Sequence, residues 1–384
     1  MPLHLAFVTS ARSDFGLLLP LIRAAESDPR FAVTVLITGM HLPGSTSLAE
    51  IETAGLSSPL VMVPAAPADD SSVQVAMAMG TAVSGFARAL DRLRPDLLVV
   101  LGDRFDMMPA VIAALPLTVP VAHISGGELT EGVIDDSIRH AVTKLSHLHF
   151  PAMPEYARRL ERLGEEPWRI HVTGEPGLDV IPSHPYRPRD AVFAELDLDP
   201  ARPLTIFTLH PESMDPAGSA ALIARVLAAA ERVDSQIVLT HPNSDPGSAA
   251  ITAAITGFAA SRPHCRLVPS LGRVRYLDVL NQADCMVGNS SSGLIEAASF
   301  RLPVVNIGER QRGRVAPANV LHAAAETDAV AAAWTKALSP EFRAGLADLS
   351  NPYGDGHAVE RILAVLGGID LGPRLITKRF NDGA

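Results

Sequence analysis

A chain of 384 residues, 47% hydrophobic and 19% charged, has the composition of a well-buried globular enzyme and the length of two or three domains. Its formal net charge of −10 argues against a nucleic-acid partner, while leaving room for a local basic pocket that takes a phosphorylated ligand. The two cysteines, Cys265 and Cys285, make neither a disulfide framework nor a zinc motif and read as buried free thiols. The N-terminal MPLHLAFVTS lacks the basic start and long apolar stretch of a signal peptide, and no run of about 18 apolar residues is apparent. The expectation is a cytoplasmic protein with no membrane partner.

Short apolar runs recur in chain order. The first half holds 3–10, 31–38, 59–63, 96–102, 119–125, 148–150 and 169–174; the second holds 204–209, 236–240, 265–268, 284–289 and 302–308. These runs are rich in β-branched residues and do not alternate, as strands of a parallel sheet buried on both faces do. Helical stretches such as 70–94 lie between them, so the fold class is α/β and doubly wound. The rhythm pauses at the proline-rich 182–203. Two Rossmann-like domains are therefore expected, 1–181 and 204–384, joined by that linker, with the last helix packing back across it. Ligands of such domains bind outside the carboxyl ends of the strands.

Polar motifs that follow a strand immediately are thus the candidates. After the first run comes TSARSDFGLL, where Arg12 lies in the turn and a helix begins near Asp14. A helix start offers free N–H groups to a phosphate, and the bland alternative is a turn salt bridge with a cap. Neither a GxGxxG nor a P-loop pattern is present. After the fourth run, LGDRFD puts Asp103 and Arg104 at the strand end, for chemistry or merely for capping. After the fifth, HISGGELTEGVIDDSIRH gathers Glu128, Glu131, Asp135 and Asp136 behind a double glycine. Such a cluster handles protons, holds a cation or simply complements a helix dipole; its spacing matches no metal motif.

In the second half, His210 follows the first strand in TLHPES, and Asn243 lies after the next in THPNSDPGS. MVGNSSSGLIEAASF then places Ser290 and Ser291 at a helix start with Glu296 further in, and NIGERQRGR adds Arg310, Arg312 and Arg314. Small hydroxyls and N–H groups with converging arginines favour a phosphate site over a simple cap.

With GDRFD, HISGGELTEGVIDDSIRHAVTKLSHLHF, GNSSSGLIEA and NIGERQRGR in this order, the chain resembles the hydrolysing UDP-N-acetylglucosamine 2-epimerases. The likeness runs from TSARSDFGLL to RQRGR. It implies the glycosyltransferase-B type of fold, two Rossmann-like domains facing a cleft. It also implies removal of the carbon 2 proton with expulsion of the nucleoside diphosphate, giving a 2-acetamidoglucal, and then water addition with inversion at carbon 2. By that resemblance Asp103 and Asp135 are acid/base residues, and Arg12 is a nucleotide or phosphate contact. His210 lies near the sugar and diphosphate. Ser290, Ser291 and Arg310 contact the diphosphate, and Glu296 the ribose. Arg104 and Asn243 join the substrate-binding set. No metal or nicotinamide cofactor is implied, and relatives are often homodimers or homotetramers.

One position departs from the pattern. Some relatives carry a glutamate two residues after the histidine of HI-x-GGE, where this chain has Ser125. A serine is no carboxylate base, so Glu128 or Glu131 is the expected substitute, with His123 or a water as the alternative. The departure also points toward a different sugar, such as a UDP- or GDP-linked 2,4-diacetamido-2,4,6-trideoxyhexose of legionaminic-acid synthesis. Two other readings compete. A glycosyltransferase of the same fold would need an acceptor groove, and no segment announces one. A non-catalytic nucleotide-sugar sensor would lose Asp103 and Asp135, and both are present.

Overall fold

A computed structural model describes residues 1–41, 43–69, 71–131, 133–212, 216–242 and 247–383, without the side chains of residues 12, 13, 46 and 216. The chain forms two compact units. The first is Met1–Glu128, Asp135–Pro182 and Tyr353–Ala384; the second is Leu129–Ile134 and Ser183–Pro352.

In the first unit, strands β1 (Leu3–Thr9), β2 (Phe31–Ile37), β3 (Leu60–Met62), β4 (Leu97–Leu101), β5 (Val121–Ile124) and β6 (Leu148–Phe150) form one sheet in the order β3-β2-β1-β4-β5-β6. All neighbours are parallel. The unbroken apolar runs have a direct cause. Leu5, Phe7, Leu97 and Val99 point into one core, while Ala6, Val8, Leu98 and Val100 point into another. Alternate residues face opposite sides of a strand, and helices cover both sides.

The second unit repeats the plan with β7 (Leu204–Thr208), β8 (Gln236–Leu239), β9 (Cys265–Leu267), β10 (Cys285–Gly288), β11 (Val304–Ile307) and β12 (Val320–Ala323), in the order β12-β11-β10-β7-β8-β9. Its neighbours are also all parallel. Phe207, Ile237, Val287, Val305 and Trp334 lie in its core, and both cysteines are buried and free. In each sheet the order reverses beside the first strand, between β1 and β4 and between β7 and β10. Those are the points where open α/β sheets leave a crevice at the strand ends.

Several sequence expectations need correcting. The run 169–174 is not a strand. It makes a single bridge from Ile170 to His149, followed by bonds from His171 N–H to the His149 carbonyl and from Thr173 N–H to the Pro151 carbonyl. Pro167 opens a 3₁₀ turn before it, and Pro176 a second one after it. Strand β12 was missed because it is short and buries only Ala323. Tyr353 onward groups with the first unit, in keeping with a last helix that packs back: the helix Ala358–Gly368 places Ile362, Leu363 and Leu366 in the core of β1 and β2. The stretch 183–203 groups with the second, where His184 and Arg187 both bond Asp278 at 3.0 and 2.7 Å. Finally, one helix, Ser72–Leu93, is long and apolar enough to cross a membrane. Scattered polar residues hid it in the sequence. Its Ala82, Phe86, Ala89 and Leu90 pack into the core, while Val73 and Met77 near its start are exposed.

Candidate active site

In the first unit the chain leaves β4 through Gly102, at φ +75°, and presents Asp103. The carboxylate of Asp103 is ion-paired with Arg139, from the helix Asp135–Leu145. Arg139 is fully buried, and the same guanidinium also donates to the Glu128 carbonyl at 3.1 Å and lies 3.5 Å from Asp136. One buried cation therefore gathers the strand end of β4, the turn after β5 and the start of that helix. A buried guanidinium is tolerable only when so paired, which makes it a rigid reference for the carboxylates around it. Asp135 and Asp136 open the helix, where acids complement the dipole.

His123, on β5, supports this turn from below. Its Nε2 lies 2.8 Å from the Gly102 carbonyl and its Nδ1 3.2 Å from Thr143 Oγ1. A carbonyl only accepts, so Nε2 carries the proton and Nδ1 accepts from the threonine. Burial, chiefly, holds His123 down at about 3, so it is a neutral strut. Gly127 then turns at φ +84°, where a Cβ would sit 2.6 Å from the Tyr156 carbonyl, so no larger residue fits the second glycine of the pair.

The residue between them, Ser125, has φ +62°, an uncommon conformation for a side-chain-bearing residue. Its hydroxyl donates to Glu175 Oε2 at 2.7 Å. Glu175 is 2% exposed and follows the bridged segment beside β6. Its backbone N–H donates to the Tyr353 carbonyl at 2.8 Å, which fixes its loop. A carboxylate thus lies one hydroxyl behind Ser125, and it comes from 50 residues along the chain.

At the end of β1, Asp14 closes the turn on itself. It accepts from Ser10 N–H, Ser10 Oγ and Ala11 N–H at 3.1, 2.8 and 2.8 Å, and from Thr9 Oγ1. Burial raises it to about 6 despite these bonds. The N–H groups of Ser10 and Ala11, just before the helix, thus serve Asp14. Arg12 lies in the first turn of the helix Arg12–Ser27, and its side chain is outside the described set. Arg104 is bidentate on buried Asp106 at 3.2 and 3.3 Å.

In the second unit, β7 and β10 end side by side. Gly288 has φ +141°, and a Cβ there would fall 1.8 Å from the Thr208 carbonyl, so only glycine permits the approach. Asn289 then clamps the backbone of His210, accepting from its N–H at 2.7 Å and donating to its carbonyl at 2.9 Å. The Asn289 carbonyl accepts from Gln311 Nε2 at 2.9 Å and from Arg310 Nη1 at 3.3 Å. His210 is buried and held well below its ordinary value, first by burial and then by the nearby Arg310 charge, so its ring is neutral. Ser290 and Ser291 lead into a helix of only four residues, Ser292–Ile295, whose dipole is correspondingly small. Glu296 is buried and ion-paired with Arg273. Glu131 also belongs to this unit, with its carboxylate 2.9 Å from Arg312 and its N–H bonded to the Arg312 carbonyl. Asn243 lies outside the described residues.

The profile of the UDP-N-acetylglucosamine 2-epimerases matches residues 23–367. A hydrolysing UDP-N,N'-diacetylbacillosamine 2-epimerase of Legionella pneumophila is 35% identical over 97% of both chains. The chain belongs to this epimerase family. A hydrolysing GDP/UDP-N,N'-diacetylbacillosamine 2-epimerase of Campylobacter jejuni is 30% identical over 88% of each chain. The fold is glycosyltransferase-B. The UDP-GlcNAc 2-epimerase of Neisseria meningitidis, solved with UDP-GlcNAc, superposes with a TM-score of 0.79 at 18% identity, covering 95% of this chain and 99% of that one. Family membership makes the protein an enzyme of nucleotide-sugar chemistry.

For an epimerase of this family, the structure brings Asp103, Asp136 and the backbone of Glu128 around one element, Arg139, which sequence reasoning passed over, and Asp135 opens the helix that carries it. It likewise brings His210 and Arg310 together through Asn289. Arg139 carried no signal, because one arginine in a polar helix start looks solvated. Glu175 did carry one. It follows the apolar run 169–174, and the strand-end rule applied to that run would have found it.

Proposed function

We propose that the enzyme is a hydrolysing nucleotide-sugar 2-epimerase that takes a UDP-linked 2,4-diacetamido-trideoxyhexose to the free 2-epimer and UDP. The observation that carries the reading is the carboxylate cluster organised by buried Arg139 at the ends of β4 and β5. The carbon 2 proton of a sugar is a weak acid, so its removal needs a fixed base together with stabilisation of the departing diphosphate. Asp103 and Asp135 supply acid/base groups, with Glu128, whose backbone carbonyl the same arginine holds, as a further carboxylate of this turn. In the second unit Arg310, Ser290, Ser291 and the neutral His210 offer cationic and hydrogen-bonding groups suited to a diphosphate. Glu296, paired with Arg273, is the ribose-side acceptor. The choice of sugar rests on the Legionella relative, matched over 97% of both chains, and on Ser125, which departs from the carboxylate found in some UDP-N-acetylglucosamine enzymes.

Incubation in deuterated water with UDP-N-acetylglucosamine and with UDP- and GDP-linked diacetamido sugars, followed by proton NMR, tests this. The expected result is free sugar deuterated at carbon 2 plus UDP, with the diacetamido donor preferred. Donors that stay intact until an acceptor is added would overturn it in favour of a glycosyltransferase.

A further inference from the structure

Resting on that reading, we propose that Ser125 and Glu175 form a proton relay for the hydration half of the reaction. Ser125 Oγ faces the water that attacks carbon 1, and Glu175 acts through it. Three observations meet here. The hydroxyl donates to the buried carboxylate at 2.7 Å, the length of a strong O–H···O⁻ bond. Ser125 is held at φ +62° at the carboxyl end of β5, and such strain persists where surrounding structure enforces a functional conformation. Both partners are fixed from behind. Ser125 N–H donates to the Phe150 carbonyl at 3.1 Å, and Glu175 N–H to the Tyr353 carbonyl at 2.8 Å.

Chemistry assigns the step. A serine hydroxyl passes protons readily between oxygens, but it is far too weak a base to take one from carbon. The relay therefore cannot serve the elimination, which needs a carboxylate in direct reach of the carbon 2 proton. It can serve the addition. The C1=C2 electron pair of the glucal takes a proton at carbon 2 from an acid of the Asp103–Asp135 cluster. The water oxygen bonds to carbon 1 and gives its proton to Ser125 Oγ. The hydroxyl proton of Ser125 passes to Glu175 Oε2, and Glu175 later returns it to solvent. Proton transfer divides between two sets of carboxylates, one for carbon and one for water. A serine in place of a carboxylate thereby costs the enzyme nothing, because the carboxylate lies one hydroxyl further back.

The test is the ratio of sugar products, read by proton NMR on the full-length enzyme with the donor that wild type turns over. Glu175→Gln keeps the volume and still accepts the serine hydrogen bond, but cannot take the proton; Ser125→Ala removes the relay atom. In both, the fraction of sugar released as the unsaturated glucal rises at least about tenfold over wild type. The double variant shows the same fraction as the single ones. Partial unfolding lowers all products together and leaves the ratio untouched. A Glu175→Gln enzyme with the wild-type glucal fraction overturns the relay and leaves Glu175 a structural tether. One that releases no nucleoside diphosphate overturns it too, by assigning Glu175 to the elimination. Wild type that makes no free sugar from any donor defeats the epimerase reading itself, and the relay with it.

Discussion

The two units share a fold and a sheet order, yet the side chains at their strand ends are chemically opposite. At β4 and β5 the strand ends carry carboxylates, and a single buried arginine is used up in ordering them. At β7 and β10 they carry serines, an asparagine and a neutral histidine, with arginines at the rim. On the proposed function, one architecture is furnished once for moving protons and once for holding an anion. The lesson is that the Rossmann-like plan supplies only positions, and the side chains at four strand ends decide the chemistry.

The largest expected effect separates these two roles outright. Asp103→Asn should lower turnover by roughly a thousandfold, in the range of a lost general acid or base, while UDP affinity stays within a few fold. Isothermal titration with UDP alongside steady-state kinetics checks both. A large loss of UDP binding would erase the distinction between the units. Next comes the organiser itself. Arg139→Met leaves Asp103 and the Glu128 carbonyl without their buried cation, and should cost about 3–5 kcal/mol of unfolding free energy by chemical denaturation. If the variant unfolds at the wild-type midpoint, the carboxylates are held by something else.

The anion-holding side makes a smaller and more selective prediction. Arg310→Ala should weaken UDP roughly 10- to 100-fold, the worth of one or two charge-assisted hydrogen bonds. Solvent deuterium incorporation at carbon 2, measured at saturating donor, should change far less. A variant that loses carbon 2 exchange but keeps UDP affinity would place Arg310 in the proton chemistry and reverse the comparison.

How much of this was legible beforehand follows from what is local. Strand runs, the helices between them and the residues just past a strand are set by short stretches of chain, so Asp103, His210 and Ser290 stood out. Pairings are not local. The order β3-β2-β1-β4-β5-β6 brings the ends of β4 and β5 together, and only then can an arginine on the following helix meet Asp103. Ser125 and Glu175 meet for a similar reason, across 50 residues. Glu128 and Glu131 are the nearest acids in sequence, and Glu131 groups with Arg312 in the second unit. Asp14 was legible as a cap because the N–H groups it accepts from, those of Ser10 and Ala11, lie within four residues of it.

The smallest effect concerns stability and is read here in the first unit. His41 and His147 are held down at about 4 and His123 at about 3, in each case chiefly by burial. A histidine whose folded value lies below its ordinary 6.5 binds fewer protons folded than unfolded. Its contribution is fully present above pH 6.5 and is lost as the pH falls toward the folded value. Asp14, raised to about 6, works the other way: the folded chain takes its proton first, so acidification below pH 6 favours folding at that site. The net slope mixes the two, but a difference isolates the histidine. Gln at position 123 keeps a donor for the Gly102 carbonyl and cannot be protonated. Between pH 7.5 and 5.5, wild type should therefore lose on the order of 1 kcal/mol more stability than His123→Gln, seen as a flatter denaturation midpoint against pH in the variant. Parallel curves would show that His123 takes up its proton at the same pH folded and unfolded, and burial would then not be holding the strut beneath Asp103 neutral.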